Sequence, residues 1–113
     1  VKSAWLLCDG RVLASAEVAD NVVARVRGLL GRRSYEGAMV FPHTRSVHTL
    51  GMRFALDVAF LDRDLVVLAT VRVRPWSMAL PRRRARLVLE APAGAFERWG
   101  LAAGDRLELK ETG

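Results

Sequence analysis

The chain has 113 residues, 51% apolar and 27% charged, enough to enclose a sizeable core and consistent with a single domain over residues 1–113. No run reaches the roughly 20 apolar residues of a membrane-spanning helix, so no helical membrane span is expected. The net charge is +6, and 16 of the 18 cations are Arg; a basic surface can attract nucleic acid or an anionic membrane, but a composition rich in Arg, Ala, Gly and Val is the preferred account of the charge.

The opening "VKSAWLLCDG" has one Lys and an apolar run shorter than the about 7–15 residues of an export-signal core. A cytoplasmic location is therefore expected. The single cysteine, Cys8, excludes an internal disulfide and suits a reducing compartment. Its neighbours Trp5, Leu6 and Leu7 mark it as a buried, inert thiol.

Two apolar runs, "AWLLC" and "RVLASA", flank Asp9-Gly10. An Asp-Gly pair between strands predicts a two-residue hairpin, because both turn residues must take positive φ. Asp20 then precedes "NVVARVRGLLG". Val22, Val26, Leu29 and Leu30 fall on one stripe of a helix that Asp20 caps and Gly31 ends.

From Ala38 the chain reads mainly as strand: "AMVF" up to Pro42, "SVHTL" up to Gly51, and "FALDVAFL" up to an Asp62–Asp64 turn. "LVVLATVRVR" follows, with Val71 and Val73 on one face and Arg72 and Arg74 on the other, until Pro75. "RLVLE" stops at Pro92, "AFERWG" forms a short amphipathic turn with Phe96 and Trp99 three apart, and "GDRLELK" is a last strand with Leu107 and Leu109 inward. Many short strands with one main and one short helix predict a mainly β, α+β fold: a small compact β-sandwich or partly open barrel.

Four segments in order resemble the bacterial and archaeal family called domain of unknown function 192. They are "RVRGLLGR" at 25–32, "LDVAFLD" at 56–62, "VLEAPAG" at 88–94 and "GDRLEL" at 104–109. The resemblance implies a small, mainly β fold with an unassigned biochemical role. The family pattern before the Leu-Asp pair resembles Phe-Trp-Met-Lys-Asn-Thr. This chain diverges there, with Val47, His48, Thr49, Leu50, Gly51 and Met52 in those places.

Among the polar residues, Asp57 stands out because its neighbours Leu56, Val58 and Phe60 are core types. A buried carboxylate must find donors or raise its pKa. The turn "TLGMRF" and the guanidinium groups of Arg25, Arg27 and Arg53 are the candidate donors, which makes Asp57 a structural acceptor. Ligand binding and catalysis are its other readings. Glu90, before the Pro-Ala-Gly turn, reads first as an acceptor for the Ala93 and Gly94 amides and second as an acid partner of Asp57. His43 and His48 lie five apart, which does not fit one strand face, so neither a metal site nor a cofactor is expected.

Arg72, Arg74, Arg82, Arg83, Arg84 and Arg86 form the densest basic patch, with Trp76 close by. A solvated loop is the preferred reading of "PRRRAR", ahead of nucleic-acid binding. The leading functional expectation is a small non-catalytic β domain that binds a small ligand or a protein partner. Its candidate site residues are His48, Met52, Asp57, Trp76 and Glu90. Alternatives are a small hydrolase-like enzyme using Asp57 with His48 or Glu90, and a basic nucleic-acid-binding module.

Overall fold

A computed structural model of the chain describes residues 2–19, 37–45, 47–48, 54–79 and 82–112. The helix expected between Asp20 and Gly31, and Met52 with Arg25, Arg27 and Arg53, lie outside the described residues.

The Asp-Gly expectation holds. Strands β1 (Lys2–Cys8) and β2 (Arg11–Val18) pair antiparallel across Asp9 and Gly10, whose φ angles are 52° and 76°. Beyond them come β3 (Ala38–Pro42), β4 (Val47–His48), β5 (Leu56–Leu61), β6 (Val67–Val73), β7 (Met78–Ala79), β8 (Leu87–Pro92), the short helix α1 (Ala95–Trp99) and β9 (Leu107–Glu111). The expected "SVHTL" strand is described only as the two-residue β4, and its partner β7 had no signal in the sequence.

Seven strands form one sheet in the order β6-β5-β8-β3-β2-β1-β9, while β4 and β7 form a separate pair. The outer strands of the large sheet then meet. Val66 bridges Arg106, the Val67 amide donates to the Asp105 carbonyl at 2.8 Å, and the Leu107 amide donates to the Leu65 carbonyl at 2.9 Å. A partly open barrel results, which satisfies backbone groups that would otherwise be left along two free edges.

Each face of the sheet carries its own core. Leu6, Val40, Ala59, Leu61, Val67, Leu89, Ala91 and Leu107 fill the inside, with Ala95 and Phe96 of α1 packed among them. Met39, Phe41, Leu56, Val58, Phe60, Val73 and Val88 lie on the outside face, with Ala79 of β7 packed against them. Strand β5 pairs with β6 on one side and β8 on the other, and all six of its residues are buried. This explains its near-continuous apolar sequence: a strand covered on both faces loses polar alternation.

One pairing breaks the antiparallel pattern. β2 and β3 run parallel, with Ala16 opposite Ala38 and Val18 opposite Val40. Gly37 enters β3 at φ 83°, and a Cβ there would lie 2.6 Å from the Ser15 carbonyl oxygen. Positive φ and backbone proximity act together at this position. Gly37→Ala is expected to lower unfolding free energy by about 1–3 kcal/mol, measured by urea denaturation.

Candidate functional site

Asp57 sits in the middle layer of the molecule, on β5, and is 5% exposed. Its Oδ1 accepts a hydrogen bond from Arg72 Nε on the neighbouring strand β6 at 3.0 Å. Its Oδ2 accepts the backbone amides of Gly94 at 2.9 Å and Phe96 at 3.2 Å. Gly94 is the residue before the first turn of α1, and Phe96 lies within that turn. The amides of a helix's first turn have no partner within the helix. One carboxylate supplied from a different strand satisfies two of the amides at this end of the helix, and its charge opposes the positive end of the peptide dipoles.

The structural role expected for Asp57 is thus visible in these three hydrogen bonds. Arg72 and the β8–α1 amides are donors among the described residues, while residues 49–53 of the upstream turn, Arg25 and Arg27 lie outside them. Glu90 was the expected acceptor for the Gly94 amide, and Asp57 takes it instead. The reason is the pleat. Val58 lies opposite Glu90 across β5 and β8, whereas Asp57 lies opposite Ala91. Directly opposed residues point to the same face and neighbours along a strand to opposite faces. Asp57 therefore points inward beside α1, and Glu90 points outward. The two acids lie on opposite sides of the sheet and cannot act on one substrate atom.

Glu90 is 6% exposed between Met39 of β3 and Val58 of β5. No described residue gives it a hydrogen bond or a charge partner. Burial pushes its carboxyl from the usual carboxylate range up to about 8. At neutral pH it is mostly a neutral acid within an apolar face.

Among the described residues the inside of the barrel is closely packed. The gap at its mouth, lined by Leu6, Val40, Leu61, Leu65, Leu87, Leu89, Leu107 and Leu109, has a cavity volume of about 10 Å³. That is roughly the least volume that holds one water, and aliphatic walls leave such a gap dry. A small ligand finds no room there.

His48 lies on β4 opposite Met78 of β7. Trp76 and Met78 are 69% and 65% exposed, the two most exposed of the large apolar side chains described. Trp76 also adopts φ 56°, an outlier for a bulky residue. His43 is exposed at φ 57°. Among the described residues no group of three His, Cys, Asp or Glu side chains is placed to hold a metal ion. Cys8 is half-buried, and burial followed by the nearby Asp9 charge raises its thiol pKa.

The six arginines of the basic patch do not share one surface. Arg72 is bound to Asp57 near the start of β5. Arg86 lies at the other end of that strand, its amide donating to the Leu61 carbonyl at 2.8 Å. Four strand residues separate those levels, about 13 Å. The Arg82 guanidinium stands 5.4 Å from the centre of the Phe60 ring. No local signal marks Met78 as part of a two-residue strand, and Arg63, remote in sequence from the "PRRRAR" run, lines one cleft with Arg83, Arg84 and Arg86.

The family model DUF192, described as uncharacterized ACR, matches residues 6–109. This chain belongs to the DUF192 family. It is 40% identical over 95 residues to a UPF0127 protein of Pyrococcus furiosus, covering 80% of this chain and 82% of that relative. A UPF0127 protein of Pyrococcus horikoshii is 31% identical, over 80% of this chain and 84% of its own length. A crystal structure of a Sinorhizobium meliloti protein, described as a proposed transcription regulator, aligns with a TM-score of 0.77 at 28% identity, covering 96% of this chain and 92% of that one. A protein of unknown function from Novosphingobium aromaticivorans shares the fold, with a TM-score of 0.74 at 21% identity over 94% of this chain and 83% of the other.

Two outcomes are expected at the acids. Asp57→Asn exchanges an acceptor for a donor toward the α1 amides and lowers stability by about 1–3 kcal/mol, whereas Arg72→Ala removes a half-exposed partner and costs below about 1 kcal/mol. Urea denaturation of both DUF192 variants measures the difference. Glu90 makes stability fall with pH. Between 4.5 and about 8 the folded chain holds a proton that the unfolded chain releases, so stability declines as pH rises and levels off above about 8. Glu90→Gln removes this decline, leaving the variant more stable than the parent at pH 8 by a few kcal/mol and nearly equal to it at pH 4.5.

Proposed function

We propose that this DUF192 chain is a non-catalytic binding domain that engages a protein partner through the corner formed by Trp76 and Met78, with His48 alongside. The observation that carries the reading is an exposed Trp held at positive φ. Such backbone is unfavourable by about 1–3 kcal/mol, and it keeps a large apolar ring in solvent where folding gains nothing from it. Trp, Met and Arg are also the residue types enriched in protein interfaces. The exposed side chains of Arg72 and Arg74 stand just before this corner in the chain.

Several observations support binding over catalysis. Both oxygens of Asp57 are occupied by structural donors. Glu90 faces the other side of the sheet, and the aliphatic gap among the described core residues is too small for a substrate. A nucleic-acid module ranks lower, because the described arginines of the basic run divide between two ends of the sheet. The described transcription role of the Sinorhizobium relative keeps that reading open to test. A single half-buried cysteine fits action in the cytoplasm. Among the described residues no helix is long and apolar enough to cross a membrane.

A photo-crosslinking side chain placed at position 78 tests the proposal in cells that naturally express the protein. The expected result is one discrete protein adduct that is lost in Trp76→Gly. The same side chain at exposed Val12 on β2 gives none. Trp76→Gly is expected to keep the parent's melting temperature or exceed it, since Gly accepts positive φ. Equal adducts from positions 12 and 78, or none from 78, would overturn the reading.

A further inference from the structure

We propose that a cleft at the end of the main sheet remote from Trp76 is a binding site for a small phosphorylated anion of di- or triphosphate size. Two tight turns form its walls. In the first, the Leu65 amide donates to the Asp62 carbonyl at 3.1 Å, which puts Arg63 and Asp64 at the tip. In the second, the Ala85 amide donates to the Arg82 carbonyl at 3.0 Å, which puts Arg83 and Arg84 at the tip. The Arg86 amide joins the two segments through the Leu61 carbonyl. The cleft between them has a volume of about 320 Å³ and is lined by Asp62, Arg63, Asp64, Arg83, Arg84 and Arg86.

The walls are fixed before any ligand arrives. Asp62 Oδ1 accepts the Asp64 amide at 2.8 Å and the Val66 amide at 3.0 Å, which pins the first turn. Arg86 Nη1 donates to the Ala85 carbonyl at 2.9 Å and the Arg83 carbonyl at 3.3 Å, which braces the second. A pre-set frame leaves less freedom to lose on binding.

Charge and size decide the ligand class. Four guanidinium groups face two carboxylates, one of which is engaged in its own turn. The excess of cation calls for a ligand carrying at least two negative charges. Guanidinium forks match phosphate oxygens two at a time. A volume at the small end of the usual 300–1,000 Å³ for ligand sites suits a compact molecule. The Asp64 carboxylate on the rim opposes a longer polyanion lying across it. Arg72 and Arg74, the other members of the sequence's basic run, are at the opposite end of β6 and do not extend the site.

Calorimetric titration with inorganic pyrophosphate, ATP and a short DNA duplex, in dilute chloride buffer, tests the site on the full chain. Pyrophosphate and ATP are expected to bind saturably at one site. Arg63→Ala, and Arg83→Ala with Arg84→Ala, should each weaken them about tenfold, as loss of charge-assisted hydrogen bonds implies. Asp64→Asn should tighten binding, and Arg72→Ala, remote from the cleft, should leave it within about twofold. Thermal melting confirms that these variants of exposed turn residues stay folded, and the gain in Asp64→Asn cannot arise from unfolding. Absence of saturable pyrophosphate binding overturns the proposal. So does DNA binding that persists at physiological salt and weakens equally in Arg72→Ala and Arg63→Ala, since that pattern belongs to an extended polyanion surface.

Discussion

The carboxylate of Asp57 is the interaction on which the interior depends. It joins three parts of the chain that are far apart in sequence: β5, the edge strand β6 through Arg72, and the β8–α1 junction through two amides. α1 has only five residues, too few to stand on its own hydrogen bonds. Phe96 nevertheless packs inside the barrel. An acceptor buried beside the helix start lets an apolar plug sit there without stranding its polar backbone in a dry core. An acid inside a continuous apolar strand is the expected form of such an acceptor.

The pleat then sets the chemistry on either side. Residues 57 and 90 are acids on adjacent strands, yet one points in and the other out. Inside, the carboxylate meets donors and stays where they hold it. Outside, Glu90 meets Met39 and Val58 and keeps its proton, because only the neutral form tolerates that environment. Among the described residues the inside of the barrel is closely packed with apolar side chains. The Trp76–Met78 corner lies near the start of β5 and the arginine-lined cleft past its end.

How much of this was legible in the sequence varies by element, for identifiable reasons. The Asp9-Gly10 hairpin, the fully buried β5, the short helix around Phe96 and the last strand were readable, because turn chemistry, apolar patterning and helical spacing act within a few residues. The mainly β class followed from their sum. Asp57 as a structural acceptor was also readable, since a carboxylate among core residues has few alternatives. Its donors were not, because Gly94 and Phe96 are 37 and 39 residues away and nothing local marks an amide that will lack a helical partner.

The sequence by itself determined the strand-forming segments, the family and the positions at which a buried charge would need partners. Only the tertiary structure decided which partners those would be. The parallel pairing of β2 with β3, the closure of β6 on β9 and the union of Arg63 with Arg83 and Arg84 all depend on contacts between remote segments. Whether Asp57 and Glu90 meet was settled by strand register, where a shift of one residue reverses the face of every side chain. Local pattern cannot carry that information, because register is a relation between two strands and not a property of either.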